Sequence, residues 1–417
     1  MKKNYLFLLC VLFGLHLSIH GQVIATLQVN AGSNKSPLQI PVQVNLDAIT
    51  FLPDSVLQLM EVKGNNKIPV ASQVDFNEHR TLHWIIEHEA GNNKNRIFEL
   101  IKRKPLQKEM QIKSIADNGF LTISNNGHNL LHYNYKTVYP PQGIDTAYKR
   151  SGFIHPLWSP RGQELTRVNA PDHYHHWGLW NPWTEVMFEK DSVDFWNLAR
   201  KQGTVRFADF ISNTAGNVYA EYKTLHEHVV FKKDGSEKVA INEEQSVRIY
   251  QPAANQNYYI ADVVIKLNCA SASPVLLLEY RYGGLGLRAT EEWNKNNSEV
   301  ITSEGKDRKE ADGSRARWCM VQGAVKGDHA GLVMMSYPTN YNYPEPLRVW
   351  PEDMNNRGDV FLNFSPTKNM SWQLNPGKDY VLKYRLLVFN DVLLKESAES
   401  AWQNFAAPPA ITIRLNK

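Results

Sequence analysis

The chain has 417 residues, a formal net charge of +4 and three cysteines. That length suits two domains, and a charge this close to balance argues against nucleic acid or an anionic membrane as the main partner. Three cysteines cannot build a disulfide framework or a cysteine-rich zinc site.

Lys2 and Lys3 precede an apolar run from Tyr5 to Ile19, and Ser18 to Gly21 leads into polar Gln22. This is the layout of a signal peptide over residues 1–21, and the run is short for a membrane span. The expectation is a periplasmic or secreted product. Losing the two lysines lowers the charge from +4 to +2. Cys10 would leave with the signal, and Cys269 and Cys319 would remain as one bond or as two thiols. No later run is long enough to cross a bilayer, so no membrane contact is expected after cleavage.

Residues 22–117 read as an accessory β-sandwich. Ile24–Val29 and Ile40–Leu46 alternate apolar and polar residues, Val56–Val62 ends in a Gly64–Asn65–Asn66 turn, and Thr81–Glu87 and Arg96–Ile101 follow. Residues 118–417 read as a second, larger unit. Phe120–Ser124, Asn126–Gly127 and His128–Tyr135 give a hairpin, because Asn-Gly readily supplies the positive φ of a tight turn. Strands are expected at Thr204–Phe210, Val218–Phe231, Lys238–Tyr250, Asn257–Leu267, Val275–Leu287, Trp318–Val325, Gly331–Ser336 and Tyr380–Phe389. A single helix is expected at Val392–Phe405. Long strands in meander order imply large antiparallel sheets packed face to face, an all-β fold.

Between the hairpin and the long strands lies Gly152–Trp196, which carries four of the fourteen histidines. Prolines at 156, 160, 171 and 182 exclude a long helix or central strand there, and long irregular segments of this composition usually carry function. Its densest part is Asp172–His173–Tyr174–His175–His176. Three imidazoles in four residues beside a carboxylate suit acid–base chemistry, substrate contact or a divalent metal, and loop hydrogen bonding competes with all three. His155 and Arg161 sit on turns nearby, and a guanidinium suits carboxylates or vicinal hydroxyls. Trp180 and Trp196 are candidates to stack on a sugar ring.

A second candidate run follows at Val275–Arg288. Strand alternation places Glu279 and Arg281 on one face, as a structural pair or with Glu279 aimed into a cleft. The glycines at 283, 284 and 286 lack a following helix and point to a bulge rather than a dinucleotide site. Arg288 closes this run, and Arg317 ends a hydrophilic stretch expected to loop over the sheet. Tyr337–Asn340, Arg348 and Trp350 form a third patch, read as a solvated loop.

The run HPLWSPRGQELTRVNAPDHYHHWGLW, then DSVDFW and GGLGLRA, resembles the PmoA-like family of bacterial proteins over roughly residues 118–412. The resemblance implies a β-supersandwich like that of galactose mutarotase-like domains, in bacteria that degrade polysaccharides. The methane-oxygenase activity in that family's label does not fit a chain without a spanning segment. The functional expectation is an exported carbohydrate-processing protein acting on a sugar by hydrolysis, elimination or epimerisation. His173 or His176 would serve as acid or base, helped by Asp172 or Glu279, with His155, Arg161, Trp180, Trp196, Arg288 and Arg317 binding substrate. No cofactor is expected on this reading. The alternatives are a metal-dependent enzyme using His173, His175 and His176, and a non-catalytic glycan-binding protein.

Overall fold

The computed structural model describes residues 21–30, 38–87, 95–105, 110, 112–252 and 257–416. The expected signal peptide, apart from Gly21, lies outside the described residues. Its fold is all-β and antiparallel: a small N-terminal β-sandwich and a large two-sheet sandwich.

In the small sandwich, one sheet holds Gln22–Asn30, Asn95–Lys102, Leu57–Lys63 and Asn66–Val70. It faces a three-stranded sheet of Ile40–Asn45, Arg80–Ile86 and Ser72–Phe76. Period-two burial sends Leu27, Val29, Val42, Leu59, Leu82, Trp84, Phe98 and Leu100 into the shared core. The chain's last strand, Ala410–Leu415, pairs with Gln22–Asn30 on the outer edge of the first sheet. The C-terminus therefore returns to the N-terminal sandwich, whereas the sequence placed it in the second unit. Ile112–Asp117, placed in the first unit, instead pairs with Phe120–Asn125 in the second.

The large unit faces two eight-stranded sheets against each other. The first runs Leu347–Val349, Phe361–Phe364, Gly286–Arg288, Leu179–Trp180, Phe153–Leu157, His128–Asn134, Phe120–Asn125, Ile112–Asp117. The second runs Gly203–Ala215, Tyr219–Phe231, Glu237–Tyr250, Tyr258–Cys269, Tyr380–Asn390, Asp328–Ser336, Trp318–Val325, Ser298–Thr302. Their inner faces form one core, in which Leu121, Leu131 and Leu179 of the first sheet meet Val247, Val263, Leu332 and Leu386 of the second. The Asn126–Gly127 turn has φ of 50° and 82°, the positive pair the hairpin requires. The helix Lys395–Ala406 packs Ala398, Ala401 and Phe405 onto the outer face of the long sheet. Cys269 and Cys319 are both free thiols. Among the described residues no helix is long and apolar enough to cross a membrane.

One expected strand is divided. Val275–Leu277 belongs to a separate four-stranded sheet with Val186–Phe188, Asp191–Val193 and Trp372–Leu374, while Gly286–Arg288 belongs to the first large sheet. The glycines make the transfer. Gly284 has φ of 85°, and a Cβ there would lie 2.9 Å from the Phe364 carbonyl oxygen.

Two buried carboxylates hold the large unit together in different ways. Glu243 accepts from His226 Nδ1 at 3.1 Å, His228 Nε2 at 2.8 Å and Asn181 Nδ2 at 3.0 Å, and Tyr133 on the opposite sheet meets His226 at 2.6 Å. Burial alone would raise the Glu243 carboxyl, but these hydrogen bonds and the two imidazoles hold it well below the usual range.

Glu345 is also fully buried and meets only neutral donors: Ser336 Oγ at 2.6 Å, Asn340 Nδ2 at 2.7 Å and Tyr384 OH at 2.9 Å. Burial pushes it up to about 7 from an ordinary 4.5, against those three hydrogen bonds. A carboxyl raised in the folded state contributes stability that is complete below pH 4.5 and lost as pH rises through 7. The loss amounts to about 3 kcal/mol. Urea unfolding at pH 4.5 and pH 7.5 should show this decline in the wild type and its absence in Glu345→Gln. Equal pH slopes in the two proteins would refute the assignment.

Candidate functional site

The histidine run is a strand whose position is set by tight local turns. His173–Trp177 pairs with Val168–Ala170 through a two-residue turn at Pro171–Asp172. Asn169, at φ of 49°, lies where the register slips. Asp172 therefore sits at the tip of the turn, with His173 opening the strand. Gly178, at φ of 64°, ends it, and a Cβ there would meet the Ile154 carbonyl oxygen at 2.4 Å. Only glycine lets this strand press so closely on Phe153–Leu157.

The three imidazoles converge. His173 and His176 stack with ring centroids 4.8 Å apart, and His175 meets them edge-on at 5.3 and 4.9 Å. One ring nitrogen from each lies within 4.8 Å of the others. Beneath them is an apolar floor of Trp177, Trp180, Trp196, Trp350 and Phe361, all buried. His176 packs on Trp180 at 5.2 Å and Phe361 at 5.1 Å, while Trp350 lies 4.8 Å from the His173 ring. Tyr148 covers His175 from the outside, with its ring 6.5 Å away.

Charge enters from one side. The Asp172 carboxylate accepts from His173 Nδ1 at 2.7 Å, Arg288 Nη2 at 2.9 Å and Asn355 Nδ2 at 3.0 Å. Arg288 lies over the Trp350 ring at 4.5 Å and also reaches Asp359 at 3.3 Å; Asp359 in turn accepts from Asn355 and Arg357. Arg308 fixes the loop carrying these groups by donating to the carbonyls of Trp350, Pro351, Gly358 and Asp359.

These neighbours set the protonation states. Burial would raise the Asp172 carboxyl, but the His173 hydrogen bond and the Arg288 charge hold it well below the carboxylate range. Burial, followed by the nearby His173, takes His175 down to about 4. Burial, then His175 and Arg288, takes His176 well below its ordinary value. Both are neutral rings at ordinary pH. His176 Nδ1 and Arg288 Nη1 are buried without a hydrogen-bond partner among the described residues, as are the indole nitrogens of Trp177 and Trp180. Each such atom calls for a partner such as water, an ion or a ligand. A second set without partners among the described residues lies at Arg150, Asn181, Tyr222 and His228.

Comparison with known proteins places the cluster inside a family match. The model described as "Family of unknown function (DUF6807)" matches residues 121–403. The chain belongs to that family. The resemblance to the PmoA-like family is corrected accordingly, since the matching model is another one and nothing links it to that name. The His-Pro and Asp-His-x-His-His elements that suggested the resemblance lie within the match to this family of unknown function. The chain matches no curated protein.

Among solved structures it is similar to a protein in the glycosyl hydrolase family 38 from Enterococcus faecalis, at 9% identity and a TM-score of 0.44. It is similar also to an alpha-mannosidase from Enterococcus faecalis V583, at 10% identity and a TM-score of 0.46. Each likeness covers 95% of this chain but only 48% and 46% of those chains, so the chain spans about half their length. At TM-scores below 0.5 neither bears on function.

Of the residues singled out in the sequence, Asp172, His173, His176 and Arg288 are brought together, with His175 among them. Trp180 and Trp196 lie beneath them, while Glu279, Arg161, Arg317 and His155 go elsewhere. Glu279 is exposed beyond the end of Val275–Leu277, where its backbone N–H donates to Ser371 Oγ at 2.9 Å. The division of the expected strand removes it from any shared cleft. Arg161 makes surface ion pairs with Asp328 at 3.1 Å and Asp391 at 2.8 Å. Arg317 pairs with Glu399 of the helix at 3.2 Å and lies over Trp402, so it fastens the helix. His155 bonds Thr166 Oγ1 at 2.9 Å and faces Glu164 at 3.6 Å, outside the cluster.

Trp180 and Trp196 are floor rather than open stacking faces, being 1% and 2% exposed. Trp350, read as part of a solvated loop, is fully buried at the centre of the site. Asp359, Asn355 and Arg308 carried no sequence signal, because isolated polar residues in irregular loops have no period to betray their direction.

Gly178→Ala should destabilise the fold by about 2 kcal/mol or more, since it meets both positive φ and a backbone oxygen. A urea midpoint equivalent to a change of under about 0.5 kcal/mol would show that the strand does not need this close approach.

Proposed function

We propose that the chain is an enzyme acting on a sugar or sugar-derived molecule, with the cluster of Asp172, His173, His175 and His176 as its reaction centre. The observation that carries this reading is the convergence of three imidazoles and a fixed carboxylate on a dry aromatic floor. Packing unsatisfied rings against tryptophan is unfavourable for folding and is kept where chemistry uses it.

In this reading Arg288 and Asn355 hold Asp172, and Asp172 holds His173 in one orientation. The floor of Trp350, Trp180 and Phe361 excludes water from below. Proton transfer to or from a sugar oxygen or carbon takes place at the cluster, as hydrolysis, elimination or epimerisation requires. The carboxylate partner is Asp172 alone. Export is part of the same proposal and is supported by Lys2, Lys3 and the apolar run that follows them.

Mass-spectrometric screening of the full chain in heavy water against oligosaccharide and oxidised-sugar panels, in which epimerisation registers as deuterium uptake at carbon, tests the reading. Turnover of at least one substrate is expected, with kcat/KM reduced about 100-fold or more in Asp172→Asn. An absence of turnover across the panels, with glycan binding intact in Asp172→Asn, would identify a binding protein instead.

A further inference from the structure

The three converging ring nitrogens are set out as ligands are. A carboxylate can only accept, so the 2.7 Å contact with Asp172 places a proton on His173 Nδ1, and an ion would be met by Nε2. Metal-binding histidines are oriented in this way, with the far nitrogen donating to a carboxylate. His176 is 1% exposed, and its Nδ1 meets no partner among the described residues. Nitrogens around a tetrahedral ion at about 2.0–2.1 Å lie about 3.3 Å apart. The present spread is up to 4.8 Å, so binding requires the rings to turn toward the ion, and His173 and His175 are only half-buried.

The surrounding charge also suits a cation. The Arg288 guanidinium is opposed by Asp172 at 2.9 Å and Asp359 at 3.3 Å, so a dication would not meet a bare positive charge. Neither Cys269 nor Cys319 belongs to the three-residue group, so the donors are nitrogen alone.

We propose that His173, His175 and His176 bind one divalent transition-metal ion of the imidazole-preferring kind, zinc foremost, with Asp172 as the carboxylate that positions His173. Three protein ligands leave a fourth position open, which is the form of catalytic rather than structural zinc sites. The inference rests on the reading of this cluster as a reaction centre and adds to it that an ion-bound water, rather than an imidazole, handles the proton.

The test uses the full chain stripped with EDTA and titrated with zinc and with cobalt(II), followed by calorimetry and visible absorption. One equivalent should bind, with the intense cobalt bands of a four-coordinate site. His175→Ala, at a half-buried position, should weaken binding by about 100-fold or more, and Asp172→Asn by about 10–100-fold. Because His176→Ala opens the core beneath the site, circular dichroism is recorded for every variant, and only folded variants are compared. No saturable binding to the stripped chain, or unchanged affinity in folded His175→Ala, would overturn the proposal. Turnover undiminished in metal-free protein would also overturn it while leaving the enzyme reading intact. One tightly bound equivalent without turnover of any substrate would support the centre and remove the enzyme reading.

Discussion

The guanidinium of Arg288 is 1% exposed, and its charge must be answered inside the protein. Asp172 and Asp359 answer it, and they arrive from segments far apart in the chain: the turn that opens the histidine strand and the loop after Trp350. Removing one partner from such a buried set costs about 3–5 kcal/mol, because the rest are left uncompensated. The turn at Pro171–Asp172, the strand Gly286–Arg288 and the loop 351–360 are thereby locked to one another. The imidazoles hang on that lock, since Asp172 is both the partner of Arg288 and the acceptor for His173. Arg308 extends the constraint by tying four carbonyls of the 350–359 segment, and Gly178 fixes the strand from its other end.

Among the described residues, the histidines around Glu243 and those around Asp172 are arranged differently. His226 and His228 both spend a ring nitrogen on Glu243, which Asn181 also serves, and the set joins the two large sheets. A buried polar network linked in this way rigidifies a core. At the other group Asp172 binds one imidazole, His173, together with Arg288 and Asn355. Atoms without a partner among the described residues occur at both groups, His228 Nδ1 and Asn181 Oδ1 at the first and His176 Nδ1 and Arg288 Nη1 at the second. Only the second brings three imidazoles together. The aromatic floor supplies no acceptor.

Much of the fold was legible in the sequence because sheets impose a period of two. Lys223–His228 and Ile241–Ile249 alternate in burial, and Asn126–Gly127 names its own turn. Alternation misled at Val275–Leu287, where glycines carry the chain from one sheet to another and leave Glu279 on the surface. The return of Ala410–Leu415 to the first sheet was not legible, because pairing between distant strands leaves no local trace. The site was found by residue density at Asp172–His176, but direction was not encoded there. Tryptophans that suit a sugar face suit a buried floor equally well, and Trp180 and Trp196 are floor. Arg161 and Arg317 found carboxylates nearer than any ligand, at Asp391 and Glu399. Glu345 and Asp359 were invisible, since a single acid in an irregular segment gives no sign of burial.

The central claim is that His173, His175 and His176 act together as one centre. Extended X-ray absorption at the zinc edge of the zinc-loaded full chain measures this most directly. The account predicts a first shell containing three imidazole nitrogens at about 2.0–2.1 Å, with the outer-ring scattering that imidazole gives. A shell of oxygen alone, or one containing sulfur, would place the ion elsewhere and contradict it.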